Sequence, residues 1–260
     1  MPPTPFPDAP LPATLHPELP QTSLPCPPVP QLDWRDTSIP VSRAFDDPYF
    51  SLSGGLAETK HVFLAGNDLP NRLREGFHIA ELGFGTGLNL LATLLTHTES
   101  LAHTESGHLH YTSFEAFPLP APDIARALTA FPDLAAVAQP FLYQWASAMA
   151  GTGRASGAIT LHFATATATV ILGDARDTLP LWDGRADAWF LDGFSPAKNP
   201  ELWSPTLMAE VARHTAPGGS FATYTAAGHV RRALSEAGFT VTRQPGFGRK
   251  RHMTTGVLAP

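Results

Sequence analysis

Ile79-Ala80-Glu81-Leu82-Gly83-Phe84-Gly85-Thr86-Gly87-Leu88-Asn89-Leu90-Leu91 is the stretch that decides the fold. An apolar strand end, Ile79 to Leu82, runs into a glycine loop and then into leucines at helical spacing (Leu88, Leu91, Leu94, Leu95). Glycines at 83, 85 and 87 let the chain turn tightly and let a ligand approach main-chain N–H groups at a helix N-terminus. A dinucleotide fingerprint, G-x-G-x-x-G, needs its third glycine at position 88, which is Leu, so that reading is excluded. A second segment has the same logic: Ala188-Trp189-Phe190-Leu191 reads as a buried strand that ends on Asp192. Gly193 then turns the backbone, while Pro196 and Pro200 keep the next segment out of helix and sheet. In an open α/β sheet, ligands bind beyond the carboxyl ends of strands, where both segments fall. Gly193-Phe194-Ser195 looks like the start of a nucleophile elbow, but that motif needs Gly at 197, which is Ala, and Pro196 disturbs the helix start.

Outward from these segments, strands and helices alternate, as a parallel sheet with crossover helices requires. Strands are expected near 77–82, 109–115, 168–173, 187–192, 219–225, 238–243 and 253–258, and helices over 87–96, 121–130, 204–215 and 228–237. Ala216-Pro217-Gly218-Gly219 reads as a turn before its strand, and Ala164 to Thr169 alternates like half of a hairpin.

The 260 residues suit one α/β domain with extra material, and a hydrophobic content of 43% suffices for its core. No apolar run approaches the ~18 residues of a membrane span. The single cysteine, Cys26, excludes an internal disulfide and any cysteine-based metal site. The N-terminus lacks the basic and apolar regions of a secretory signal, so a cytoplasmic protein is the expectation. Residues 1–30 hold 12 of the 27 prolines and no Lys or Arg, a composition that cannot offset its ordering entropy. A Pro-rich disordered tail is therefore expected over 1–35 and the folded domain over 36–260. The tetrad His-Thr-Glu-Ser occurs at 97–100 and again at 103–106; with His108 and His110 it reads as a solvated loop rather than a metal site. Net charge is −6, yet six of the 17 Lys and Arg residues lie between Arg231 and Arg251, opposed only by Glu236. Such a local basic face can track phosphates.

The acid-x-G-x-G-x-G spacing resembles the S-adenosylmethionine loop of Rossmann-like methyltransferases. Five blocks, in order between about Pro40 and Leu258, are similar to the methyltransferase domain of the bifunctional enzymes that make 5-methylaminomethyl-2-thiouridine at the tRNA wobble position. They are Val41-Ser42-Arg43-Ala44-Phe45-Asp46-Asp47-Pro48-Tyr49-Phe50-Ser51, Glu81 to Asn89, Ser113-Phe114-Glu115-Ala116-Phe117-Pro118, Phe190 to Trp203, and Gly246-Phe247-Gly248-Arg249-Lys250-Arg251. The resemblance implies an S-adenosylmethionine-dependent methyltransferase with a mostly parallel seven-stranded sheet and helices on both faces. It also implies methyl transfer to the amine of 5-aminomethyl-2-thiouridine, with the tRNA anticodon stem-loop as partner and no metal. The chain stops at Pro260, just past the last expected strand, with no second glycine fingerprint in a strand–helix context, so a stand-alone methyltransferase is expected. A separate flavin oxidase, or other enzymes, would supply its substrate. Another amine acceptor, or a non-catalytic RNA-binding module, are the alternatives.

The same resemblance implies roles for residues. Glu81, Gly83, Gly85, Gly87 and Asn89 form the cofactor loop, with Glu81 contacting the methionyl end or fixing the loop. Glu115, at a strand end, accepts from the ribose hydroxyls, and Asp174 accepts from the adenine amino group. Asp192 is left for the methyl acceptor, as the catalytic residue that orients its amine and balances its charge. Phe194 and Trp203 are candidates to stack on a splayed-out base, with core packing the alternative for both. Lys198, Arg249, Lys250 and Arg251 are candidates for RNA contact.

Overall fold

The computed structural model describes residues 29–51, 54–101, 107–151 and 157–260. Most of the Pro-rich segment, with Cys26, and His103 of the tetrad repeat lie outside the described residues. The strands run β1 (Leu32–Arg35), β2 (Ile39–Ser42), β3 (Asp47–Pro48), β4 (His78–Leu82), β5 (Leu109–Glu115), β6 (Ala158–Phe163), β7 (Ala166–Leu172), β8 (Ala186–Leu191), β9 (Thr215–Thr223), β10 (Phe239–Pro245) and β11 (His252–Leu258). The α-helices are α1 (Gly55–Thr59), α2 (Leu88–Leu101), α3 (Ala121–Leu128), α4 (Ala135–Ala150), α5 (Ala175–Thr178), α6 (Pro205–Arg213) and α7 (Gly228–Glu236).

Alternate residues of the central strands enter opposite cores. Ile79, Tyr111, Val170, Ala188 and Phe190 pack with α2 and α4 on one face. Ala80, Leu82, Phe114, Trp189, Leu191 and Phe221 pack with α6 and α7 on the other. Burial on both faces is why these strands read as continuous apolar runs. The large sheet has eight strands in the order β10-β11-β9-β8-β4-β5-β7-β6, one more than expected. The extra strand, β6, pairs antiparallel with β7 and completes the hairpin of which Ala164 to Thr169 showed one half. The pairs β4–β5, β4–β8, β5–β7 and β8–β9 are parallel, whereas β11 runs antiparallel to both neighbours. From β4 the chain proceeds to β5 and β7 on one side and later to β8 and β9 on the other. The sheet therefore switches direction between β4 and β8, where a ligand crevice opens.

Three further elements depart from expectation. The stretch Ala216 to Gly219 belongs to β9 rather than to a turn before it, with Gly218 at φ 73° and a register shift opposite Ala186 and Ala188. The strand β1 begins ahead of the expected domain boundary at residue 36 and forms a small antiparallel sheet with β2 and β3. Helix α4 escaped the sequence reading because Pro140 interrupts it and its alanine-rich pattern has no clear polar face. Yet α4 supplies Phe141 and Trp145, both fully buried, which hold Phe84 of the glycine loop through a stacked contact of 5.1 Å to Trp145. Among the described residues, no helix is long and apolar enough to cross a membrane.

Candidate active site

A cavity of about 760 Å³ opens at the carboxyl ends of β4, β5 and β8. Its floor is the glycine loop. Gly83, Gly85 and Gly87 all have positive φ (82°, 55° and 75°), where a side chain would be strained. Two of them are also crowded: a Cβ at Gly83 would lie 3.1 Å from Gly193 Cα, and one at Gly87 would lie 3.0 Å from the Phe141 ring. The loop is pinned at its centre by Glu115, whose Oε2 accepts from Gly85 N (2.8 Å) while Oε1 accepts from Phe117 N (2.7 Å). Each carboxylate oxygen keeps a further lone pair for a ligand in the cavity that Glu115 lines. Burial raises its pKa, and the backbone donors oppose that shift.

Asp192 also lines the cavity, half-buried. Its Oδ1 accepts from Gly193 N (2.8 Å) and its Oδ2 from Asn89 Nδ2 (2.8 Å). Burial lifts its carboxyl to about 6, partly offset by these bonds and by the Lys250 cation, while Glu58 pushes it further up. The Asp192 loop is held by Tyr224, whose hydroxyl donates to Gly193 O (2.8 Å).

Glu81 is not among the residues lining the cavity. Its side chain turns into the core from β4, beside Ser113 on the neighbouring strand, and is fully buried. Burial pushes its pKa up to about 8, so it is a neutral acid at pH 7. Its Oε1 accepts from Asn89 Nδ2 (2.8 Å), so of the two sequence-derived roles, fixing the loop is the one its position suits. Both N–H groups of Asn89 are used within the protein, and its Oδ1 accepts from Thr59 Oγ1 (2.9 Å). Asp174 stands on the cavity wall, but its carboxylate caps α5 through Arg176 N and pairs with the Arg176 guanidinium at 2.6 Å. That pairing holds its pKa below the usual carboxylate value.

The aromatic candidates separate. Phe194 lines the cavity, stacked on Phe45 at 4.6 Å and edge-on to Tyr49 at 5.1 Å. Trp203 is a core residue, 1% exposed, and its indole N–H donates to Phe194 O (2.8 Å). It supports the loop and cannot stack on a base. The basic candidates separate too. Lys198 is tied to the β2–β3 turn, donating to Asp46 O and pairing with Asp46 Oδ2 at 3.0 Å, so it is no free phosphate contact. Lys250 turns into the cavity, pairs with Glu58 Oε1 at 2.9 Å and lies 4.1 Å above the Tyr224 ring. All three of Arg249, Lys250 and Arg251 are exposed, and Arg249 also lines the cavity, whereas Arg251 does not. Among the described residues, no group of three or more His, Cys, Asp or Glu is placed to hold a metal. Sequence reasoning missed Glu58, Tyr224, Phe45 and Tyr49 as cavity residues. For the last two, the block Val41 to Ser51 was the available signal.

Comparison with known proteins agrees with this geometry. Residues 132–259 match the profile of a family described as S-adenosyl-L-methionine-dependent methyltransferase. Over this C-terminal half the chain is similar to the S-adenosylmethionine-dependent methyltransferases. A tRNA 5-methylaminomethyl-2-thiouridine biosynthesis bifunctional protein MnmC from Stutzerimonas stutzeri is 45% identical over 236 residues, covering 88% of this chain and 34% of the relative. The protein of that name from Caulobacter sp. (strain K31) is 47% identical over 231 residues, covering 87% of this chain and 38% of the relative. The chain thus spans about a third of the length of the curated relatives it matches. A crystal structure described as MNMC2 from Aquifex aeolicus superposes with a TM-score of 0.66 at 26% identity, covering 90% of this chain and 73% of that one.

Two outcomes follow from the cavity. In Gly85→Val a branched side chain is forced to positive φ with its Cβ 3.2 Å from the Tyr49 ring. The strain costs about 1–3 kcal/mol locally. Calorimetry should find S-adenosylmethionine binding abolished in a folded protein, and unchanged affinity would remove this loop from the cofactor site. The second concerns pH. Asp192, raised to about 6, is a carboxylate above that value and a neutral acid below it. The kcat/KM for methyl transfer should therefore fall as pH drops through about 6, and a profile flat to pH 5 would show that ionised Asp192 is not required.

Proposed function

We propose that this methyltransferase methylates the exocyclic amine of 5-aminomethyl-2-thiouridine at the tRNA wobble position, giving 5-methylaminomethyl-2-thiouridine. The observation that carries this reading is Asp192, a half-buried carboxylate on the wall of an aromatic cavity that also holds the glycine loop. The names of the MnmC relatives support the same acceptor. Gly83, Gly85 and Gly87 would present backbone to the cofactor, Glu115 its spare lone pairs to the ribose, and Asp174 its exposed edge to the adenine. Asn89 would serve that site through the carboxylates it ties. S-adenosylmethionine supplies an electrophilic methyl group on a positively charged sulfur.

The chain's own residues then have three tasks. The cavity excludes water around the acceptor amine, which favours its neutral, nucleophilic form. Asp192 fixes the amine's orientation through an N–H···O bond, and alignment supplies much of the rate of a displacement. Its carboxylate stabilises the cationic amine that forms, and takes its proton. Phe194, Phe45 and Tyr49 offer flat faces for the base that is turned out of its stack. We place the reaction in the cytoplasm, where tRNA is the partner. An oxidase that prepares the aminomethyl group, a flavin enzyme in this reading, would act before it.

The test incubates the protein with methyl-labelled cofactor and tRNA from cells lacking the modification, then identifies the labelled nucleoside. Label in 5-methylaminomethyl-2-thiouridine is expected, and label in any other nucleoside, or only in protein, overturns the reading. Asp192→Asn keeps shape and cofactor binding but loses the charge, so transfer should fall by roughly 10²-fold or more. Near-native turnover in that variant would leave Asp192 a structural role only. Arg249 and Arg251 remain candidates for phosphate contact. Replacing both by Ala should weaken tRNA binding and flatten its salt dependence by about one unit per lost contact. An unchanged slope would place the RNA on another face.

A further inference from the structure

We propose that Lys250 and Glu58 together read the imide edge of the acceptor base, Lys250 donating to its O4 carbonyl and Glu58 accepting from its N3–H. This inference rests on the reading of the acceptor as a 5-aminomethyl uridine. Such a base carries, in order around its ring, the amine-bearing substituent at C5, a carbonyl acceptor at C4 and an N–H donor at N3. The cavity offers partners of matching character: a carboxylate for the amine at Asp192, a cation at Lys250 and a second carboxylate at Glu58.

The pair stands at the cavity mouth, with the Lys250 side chain 44% exposed and Glu58 buried beneath it. The β10–β11 turn is folded inward over α1, with the Phe247 ring 3.4 Å from where a Cβ of Gly54 would stand. Four residues further on, Glu58 meets Lys250 at 2.9 Å. Glu58 is 8% exposed, too buried for an ordinary surface ion-pair partner. The Lys250 ammonium is held by that carboxylate and by the face of Tyr224 at 4.1 Å. An ammonium has three N–H donors, and one carboxylate accepts only one or two of them. The carboxylate likewise has about four acceptor positions. Donor and acceptor thus stand side by side, 2.9 Å apart. Both charges also act on Asp192, the cation lowering its carboxyl and Glu58 raising it, so the three groups share one electrostatic site. A phosphate fits poorly here, because Asp47, Glu58 and Asp192 line the same cavity. A neutral group with adjoining donor and acceptor suits a paired cation and anion. Reading a turned-out base along its hydrogen-bonding edge, between aromatic walls, is the general solution for enzymes that modify one.

The experiment compares two anticodon stem-loops, one carrying 5-aminomethyl-2-thiouridine and one carrying its N3-methylated analogue. The native protein, Lys250→Met and Glu58→Ala are assayed, with cofactor affinity measured by calorimetry in each. Native kcat/KM should be about 10–100-fold lower on the N3-methylated base, the loss expected for a charge-assisted hydrogen bond. Glu58→Ala should bring the two stem-loops to within about threefold, because the carboxylate that requires N3–H is gone. Lys250→Met should lose about 10–100-fold in kcat/KM on the unmethylated base with cofactor affinity unchanged. Equal use of both bases by the native protein overturns the inference, as does discrimination that survives in Glu58→Ala. Loss of cofactor affinity in Lys250→Met would mark Lys250 as structural and likewise overturn it. A native protein that methylates neither stem-loop removes the acceptor assignment itself, and this inference with it. Transfer to the unmethylated base at full rate in Lys250→Met removes the inference alone.

Discussion

The carboxamide of Asn89 joins the three elements on which the cavity depends. Its nitrogen donates to Glu81 on β4 and to Asp192 beyond β8, while its oxygen accepts from Thr59 at the end of α1. Two carboxyl groups sharing one amide would repel each other if both were ionised. The burial of Glu81 resolves this, since a carboxyl raised to about 8 stays neutral at pH 7 while Asp192, raised only to about 6, carries the charge. A pair of acids whose surroundings separate their pKa values in this way divides the work, here one facing the core and one facing the cavity. Several buried polar atoms around it, Glu81 Oε2, Tyr111 Oη and Ser113 Oγ, lack an aligned partner in the structure. The Ser113 and Tyr111 hydroxyls are donors beside Glu81 and oppose the rise of its pKa.

The opposite wall of the cavity depends on a strap that arrives from the N-terminal side. The turn between β2 and β3 is anchored by Lys198 to Asp46 and by Ser195 N to Asp47 Oδ2 at 2.8 Å. Phe45 from this strap stacks on Phe194, and Trp203 holds Phe194 from behind. Exposed ion pairs contribute little stability, so the strap's hold comes mainly from its rings. An acceptor base entering beside Phe194 would meet a wall of two chain segments that are distant in sequence. The wall's position therefore depends on the strap being closed.

The two sides of the cavity differ in charge as well as in shape. Near the glycine loop, Glu115 spends one lone pair of each oxygen on backbone donors and Asp174 spends its carboxylate on Arg176. Near Asp192, the cation Lys250 is balanced by Glu58 and by the Tyr224 ring. Asp174 and Lys250 are thus paired with opposite charges, while Asp192 and Glu115 face the cavity bonded only to neutral donors.

The sequence by itself determined the alternation of strands and helices, the positive-φ glycine loop and the position of Asp192 at a strand end. These are local facts: the period of apolar residues reports burial, and a glycine at a forbidden torsion reports a turn, whatever surrounds them. It also carried the resemblance from which the cofactor followed. The tertiary structure alone decided what each charge and ring does. Glu81 and Glu115 both sit on parallel strands, yet one points into the core and the other into the cavity, because the neighbouring helix supplies Asn89 to only one of them. Lys250 looked like its neighbours Arg249 and Arg251 until α1, nearly two hundred residues earlier, placed Glu58 against it. Trp203 and Phe194, equal candidates in one segment, parted because only the first found room between α6 and β8. The fate of a charged or aromatic side chain is set by the partners that folding brings to it, and those partners lie too far along the chain for any local pattern to show.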